Sequence, residues 1–386
     1  MHSAFFLHVP KTGGSSVDNI LGEEFPAQLT ARGVQHSATL EQWGRIDDKS
    51  IRYLSGHIPA GALDLSRFEQ RITVLRPPED CLASFISYAD RHFPGHNARE
   101  NIASQGSRWS LYANFFSPGF DNLRYMTERR YGVARDHFVE YADECTVPEA
   151  ISVLEQFGSV LDFQNLNAEI CRLVIEQGCF PRDAISNLRS DKHARGDSSV
   201  QDLLSPFDLS FYEAARKHFR PVPDNIEIVY DHYRRDYCKT RGLSIGPRNS
   251  LGLDLSGPIG TGWNAAEVSE TGQHFRWSNT SRPTLNIPIA RSGDYCLTLY
   301  LKPYQATNLR ATVSSLISGE QVVMQSFLSP RVEHQGMVVL RATITLPGSD
   351  WLDVRLDCDP PPNTATTQEL QANIFLLGNA LVRRGA

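Results

Sequence analysis

The stretch Phe5-Phe6-Leu7-His8-Val9-Pro10-Lys11-Thr12-Gly13-Gly14-Ser15-Ser16 leaves the chain few options. An apolar run stops at Pro-Lys-Thr-Gly-Gly-Ser-Ser, and Val17, Ile20 and Leu21 then recur at helical spacing. The pattern predicts a buried strand, a tight loop and a helix start. Two glycines let the backbone turn without a Cβ clash, so successive N–H groups can converge on an anion. Ser15 or Ser16 is placed to cap the helix, whose N-terminal end favours negative charge. Lys11 adds a mobile full charge. The loop is therefore read as the seat of a phosphate-like group. It is not a Walker A loop, because the lysine precedes the glycines and no GxxxxGK[ST] occurs.

Further apolar runs follow at Ile51–His57 and Arg71–Leu75, the second stopped by Pro77-Pro78. Helical spacing recurs at Cys81, Leu82, Phe85, Ile86 and Ala89, over 148–157, over 166–177 and over 210–219. Residues 22–50 carry no clear signal. Residues 91–120 read as an irregular insertion or an acceptor-binding region, and 121–130 as a helix. Strands alternating with helices predict an α/β domain over 1–249, with a mainly parallel, P-loop-like sheet flanked by helices.

After Leu243 the texture changes. Short alternating runs occupy 284–289, 295–301, 309–317, 321–327, 337–346, 351–356 and 370–377, separated by turn residues. Tyr295, Leu297, Leu299 and Leu301 show the period of two that a half-buried strand requires. Residues 250–386 are thus expected to form an antiparallel β-sandwich or jelly roll. Trp263 and Trp277 are either sugar-stacking platforms or tryptophans that pack its core. The domain is read as a glycan-binding or an assembly module, the latter giving an oligomer.

Net charge of −6 gives no basis for a nucleic-acid partner, so any anion site is a local pocket. Seven dispersed cysteines without a CxxC or a zinc spacing read as reduced, mostly buried thiols. No run reaches the ~20 apolar residues that span a bilayer. The first apolar run is too short for a signal peptide, and its basic loop follows it instead of preceding it. The expectation is a cytoplasmic protein.

Two more positions bear on chemistry. Arg76 ends a strand, where open α/β sheets bind ligands, and Ser84 lies eight residues on in the following helix. An arginine fork and a hydroxyl suit a phosphate. Gly56-His57 ends another strand, and a neutral imidazole can take a proton from an alcohol. Together these parts resemble sulfotransferases that use 3′-phosphoadenosine 5′-phosphosulfate (PAPS), in the carbohydrate branch that includes heparan sulfate 2-O-sulfotransferase. That branch carries PKTGGTS after its first strand, matched by Pro10 to Ser16. Its RDPxxRxxS is matched by Arg76 to Ser84, with Pro77 in place of the Asp and Cys81 in place of the second Arg. Its Gly-His is matched by Gly56-His57. Looser similarity extends to Asp121–Tyr125, to Ala150–Leu173 and to the Asp208–Phe219 segment, so the resemblance spans residues 3–238.

The resemblance implies a sulfotransferase fold and sulfuryl transfer from PAPS to a hydroxyl of a glycan or glycoconjugate. It implies that Lys11 and the loop N–H groups of Thr12, Gly13, Gly14, Ser15 and Ser16 hold the 5′-phosphosulfate. Arg76 and Ser84 would hold the 3′-phosphate, and His57 would act as base. The basic stretch Arg189, Lys192 and Arg195 is placed to close over the nucleotide. No metal is implied, since Lys11 and backbone dipoles take the part of a magnesium clamp. Two other classes stay open: a P-loop-like kinase, which would need a magnesium-binding acid near Lys11, and a non-catalytic glycan-binding protein with a degenerate sulfotransferase domain.

Overall fold

The computed structural model describes residues 2–35, 48–92, 97–105, 110–118, 145–182, 198–246, 249–252, 254–263, 266–269, 272, 274–278, 282–304, 308–316, 319–327, 338–359 and 373–384. By contacts the chain divides into two compact units. One comprises Met1–Ile170 and Leu188–Pro223, the other Cys171–Asn187 and Asp224–Ala386. The contacts thus group 224–249 with the C-terminal strands. The readings made for 121–130 and for Arg189, Lys192 and Arg195 lie outside the described residues.

The first unit runs β1 (Ala4–Leu7), α1 (Gly14–Gly22), β2 (Thr30–Gln35), β3 (Tyr53–His57), β4 (Gln70–Leu75), α2 (Pro78–His92), α3 (Ala98–Gln105), α4 (Ala113–Phe116), α5 (Val147–Leu154), β5 (Ser159–Asp162), the start of α6 (Leu166–Gln177) and α7 (Pro206–Ala215). Five strands pair in the order β2-β3-β1-β4-β5, and every pairing is parallel. From β1 the chain goes first to one side of the sheet and then to the other. The carboxyl end of β1 is therefore a topological switch point, where such sheets open a crevice.

β1 is buried on both faces, which explains its unbroken apolar sequence. Phe5, Leu7 and Val9 belong to one core with Phe115 and Phe116 of α4, Leu154 of α5 and Phe211 of α7. Pro77 and Pro78 end β4, and α2 starts at once. α1 is fixed to the sheet by a polar cluster. The Asp18 carboxylate accepts from Arg32 Nε and Nη2 at 3.2 and 3.1 Å and from the Tyr53 hydroxyl at 2.9 Å.

Three local expectations are corrected. Residues 22–50 contain strand β2, whose Thr-Ala-Arg-Gly-Val-Gln sequence lacks apolar alternation because it is an edge strand. Its register with β3 shifts between Ala31 and Val34. Residues 110–118 are not an irregular insertion, since Tyr112, Phe115 and Phe116 are core side chains. Residues 226–241 form α8 (Ile226–Arg241), for which no helix was expected.

The second unit contains α8, β6 (Ser250–Gly252), β7 (Glu267–Val268), β8 (His274–Trp277), β9 (Thr284–Ile289), β10 (Gly293–Tyr304), β11 (Asn308–Ser315), β12 (Gln321–Phe327), β13 (Val338–Leu346), β14 (Asp350–Asp359) and β15 (Asn373–Arg384). Two antiparallel sheets form, β13-β10-β15-β8-β7 with β6 on β15, and β12-β11-β14-β9. Tyr295, Leu297, Leu299 and Leu301 point into a core shared with Leu309, Ala311 and Val313 of β11 and Leu352, Val354 and Leu356 of β14. This is a β-sandwich, as the period of two predicts. α8 packs on β9 and β14, where Trp351 meets Phe180 at 5.3 Å between ring centroids and shares a cluster with Cys238. That packing explains why 224–249 groups with the sandwich.

Candidate functional site

The loop that follows β1 lies at the switch point, and its backbone is set by side chains. Four consecutive carbonyls, those of His8, Val9, Pro10 and Lys11, each accept a hydrogen bond from a side chain. The donors are His57 Nδ1, Thr12 Oγ1 (2.8 Å), Cys81 Sγ (3.2 Å) and Arg76 Nη1 (3.0 Å). In a trans peptide the C=O of one residue and the N–H of the next point opposite ways. Pinning the carbonyls of Pro10 and Lys11 therefore turns the N–H groups of Lys11 and Thr12 away from Cys81 and Arg76. Lys11 has φ 64° and Gly13 φ 78°, so the backbone enters the left-handed region twice. For a lysine that conformation costs roughly 1–2 kcal/mol. The pinned carbonyls hold it in place.

Gly13 is the N-cap of α1, and no side chain caps the helix. This corrects the expectation for Ser15 and Ser16, which lie within the first turn, the Ser16 N–H bonding Gly13 O at 3.1 Å. The reason is the left-handed turn at Gly13, which starts the helix two or three residues early. The helix end is open to an anion because its first N–H groups have no intrahelical acceptor. Both glycines are held by close neighbours. A Cβ on Gly13 would lie 2.7 Å from Leu166 Cδ2 and 2.9 Å from Phe163 Cε2. One on Gly14 would lie 2.2 Å from His8 Cδ2.

Around the loop stand the other predicted residues. The Lys11 ammonium rests over the Tyr88 ring of α2 at 4.3 Å. The Arg76 guanidinium stacks on Phe163 at 4.2 Å, and its Nε is buried without a hydrogen-bond partner. Arg76 is thus brought to the loop itself. Ser84 sits half-buried in α2, and among the described residues it has no hydrogen bond to the loop or to Arg76. Cys81 is fully buried, and burial pushes its thiol up to about 12, so it remains an S–H donor to Pro10. The chain thus keeps a neutral thiol at this position, and its role is to hold the loop.

His57 stands at the end of β3. Its Nδ1 faces a carbonyl oxygen, which can only accept, so the proton is on Nδ1 and Nε2 is bare. Burial lowers its pKa, while the His8 carbonyl raises it. The ring is therefore neutral at pH 7 with one nitrogen ready to take a proton.

Sequence reasoning missed His8, Phe163, Tyr112 and Asp208. The Tyr112 hydroxyl donates to Arg76 O at 2.5 Å and accepts from Arg76 N at 3.1 Å. Tyr112 is in turn held by buried Asp208 of α7, which accepts from Ser110 Oγ (2.5 Å), Leu111 N (2.8 Å) and Tyr112 N (3.0 Å). Burial pushes the Asp208 carboxyl up to about 6 against those hydrogen bonds. His8 directly follows β1, which was the available signal for it. The others reach the site only through contacts distant in sequence.

In the sandwich, Trp263 is a core residue, 2% exposed, with its indole N–H donating to Thr284 O at 2.7 Å. It is not a sugar platform. Trp277 is half-buried on β8. Among the described residues no helix is long and apolar enough to cross a membrane, and no group of three or more His, Cys, Asp or Glu is placed to hold a metal ion.

No protein-family model matches the chain, and no curated protein does. Solved structures that resemble part of it include the C-terminal CBM6 of a marine laminarinase from Zobellia galactanivorans, at 10% identity over 35% of this chain and 100% of that one, with a TM-score of 0.24. A CBM35 from Cellvibrio japonicus aligns at 12% identity over 36% and 99%, with a TM-score of 0.23. A xylan-binding CBM22 domain from Paenibacillus barcinonensis aligns at 12% over 37% and 100%, with a TM-score of 0.26. The β-sandwich itself stands on the strand pairing described above.

Proposed function

We propose that the first unit is a sulfotransferase domain, which transfers a sulfuryl group from PAPS to a hydroxyl of a glycan or glycoconjugate. The observation that carries this reading is the loop of residues 8–16. Four side chains pin its carbonyls, the start of α1 is uncapped, and His57 stands beside it with Nε2 bare. The donor's fit rests on the same features. The start of α1 has no side-chain cap, and the buried Arg76 Nε lacks a partner that an anion would supply. The motif resemblance, not the geometry, selects sulfate and a sugar hydroxyl.

PAPS supplies the activated sulfuryl group and a phosphate leaving group. The chain's residues do the rest by position and charge. The N–H groups of Thr12 to Ser15 hold the phosphosulfate in line, while that of Ser16 stays on Gly13 O. His57 Nε2 takes the proton of the acceptor hydroxyl as the new O–S bond forms. The bridging S–O bond breaks, and its electron pair leaves on the 5′-phosphate oxygen of adenosine 3′,5′-bisphosphate. Lys11, lifted from Tyr88, neutralises that oxygen. Arg76 and Ser84 hold the 3′-phosphate.

The test is thermal unfolding of the full chain with adenosine 3′,5′-bisphosphate against ATP with magnesium. At a hundred times its dissociation constant a specific ligand adds about 2.7 kcal/mol. The bisphosphate is expected to raise Tm by several degrees and ATP with magnesium to leave it unmoved. No shift with the bisphosphate, or an equal shift with ATP, overturns the reading.

A further inference from the structure

Two imidazoles stand at the loop, and the proposed reaction uses only one. His8 leaves β1 with its backbone N–H bonded to Gly56 O at 2.9 Å, so its position is fixed by the parallel pairing. Its ring stacks on Phe6, with 5.7 Å between centroids, and lies 4.5 Å from the His57 ring. The edge bearing Cδ2 and Nε2 lies across the first residue of α1, 2.2 and 2.6 Å from where a Gly14 Cβ would be. The missing side chain of Gly14 is what makes room for it. Burial, with His57 and Lys11 adding to it, pushes the His8 pKa down to about 3. The ring is neutral above that, with one N–H and one bare nitrogen. Among the described residues neither ring nitrogen has a hydrogen-bond partner.

We propose that His8 is a second anion-contacting residue, whose ring N–H donates to an oxygen of the group seated on the loop of residues 10–16. The proposal rests on the donor-binding reading above and assigns that donor a further contact. A ring N–H on an edge placed at an anion seat gains a charged acceptor on binding, and hydrogen bonds to charged groups are the stronger ones. The neutral state also matters. A charged imidazole 4.5 Å from His57 would oppose protonation of His57, whereas a neutral one adds a hydrogen bond and no charge.

The test measures binding, not turnover. Adenosine 3′,5′-bisphosphate and inorganic pyrophosphate are titrated into the full chain and into His8→Phe and His8→Gln by calorimetry. His8→Phe keeps an aromatic ring for the stack but has no N–H, while His8→Gln keeps an N–H. A hydrogen bond to a charged acceptor is worth about tenfold or more in affinity. His8→Phe is expected to bind the bisphosphate at least tenfold more weakly, and His8→Gln to recover most of the loss. In the wild-type protein labelled with ¹⁵N-histidine, the His8 ring N–H proton is expected to shift on saturation with the bisphosphate. Binding by His8→Phe within twofold of wild type overturns the proposal. An unmoved His8 ring signal overturns it even where His8→Phe fails to fold. Wild type that binds pyrophosphate but not the bisphosphate sinks the donor assignment alone, and the same His8 comparison with pyrophosphate then decides the contact. Wild type that binds neither overturns both.

Discussion

Replacing Asp208 tests how Arg76 is held in place. Its carboxylate is the only described acceptor for the N–H groups of Leu111 and Tyr112, and it also takes the Ser110 hydroxyl, all in the buried interior. Asp208→Ala leaves three donors without a partner, at roughly 1–3 kcal/mol each. The loss is offset in part. The carboxyl is raised from 3.8 to about 6, so its ionised form at pH 7 costs about 3 kcal/mol, which the alanine variant recovers. At the middle of that range, about 2 kcal/mol per donor, the three donors cost about 6 kcal/mol, and the net expectation is about 2–4 kcal/mol of local destabilisation. The assay is hydrogen exchange of the peptide covering 110–118, which reads the opening of this segment alone. At 1.36 kcal/mol per tenfold, exchange is expected to speed up about 30- to 900-fold. The sign of the pH effect follows from the raised pKa. The folded state holds the proton more tightly, so the stability from Asp208 is full below about 3.8 and is lost as pH rises through about 6. The opening free energy of wild type relative to Asp208→Asn is therefore expected to fall by about 2.4 kcal/mol between pH 4 and 7. A flat difference over that range, or an alanine variant within about 0.5 kcal/mol of wild type, refutes the clamp.

Two further outcomes follow from the loop. Gly13→Ala forces a side chain into the left-handed region and against Leu166 and Phe163, and is expected to lower stability by about 1–3 kcal/mol in chemical denaturation. Gly158→Ala, where a Cβ meets nothing within 4 Å, serves as the control, and equal effects of the two would show that the loop is not strained. Because burial lowers the His57 pKa, its ring is expected to titrate below 6.5 by NMR, so proton-accepting capacity persists into mildly acid solution and is lost as pH falls through the lowered value. A midpoint at or above 6.5 contradicts a base held neutral by burial.

What the sequence disclosed, it disclosed locally. β1, its glycine turn and α1 are contiguous, and the double proline after β4 stops the strand by covalent geometry alone. The alternation in β10 is a two-residue signal that one sheet face imposes. β2 left no such mark, because an edge strand interrupted by Arg32 and Gly33 need not alternate. The cap of α1 was misread because a left-handed Gly13 does without a capping side chain, and propensity for serine caps gives no warning of that. Asp208, Tyr112 and Phe163 reach the site across long sequence separations, and no local pattern announces such a partner.

The same distinction changes the meaning of the motif residues. Read as a sequence, Thr12, His57, Cys81 and Arg76 are ligands, a base and an exception. In the structure each first donates to a carbonyl of the loop at positions 8 to 11. A nest of N–H groups binds an anion only if the intervening carbonyls are kept away, since one inward carbonyl would present a partial negative charge to the ligand. Four different side chains meeting four successive carbonyls achieve this, and they come from β3, the loop itself, α2 and the end of β4. This accounts for a cysteine standing where the resembled family has arginine. The position needs a buried donor for Pro10, and a thiol held protonated at pKa about 12 supplies one without a charge. It also joins the proposed base and the proposed seat in one device, because the bond that fixes the His8 carbonyl is the bond that leaves His57 Nε2 bare. Displacing the loop would disturb both together.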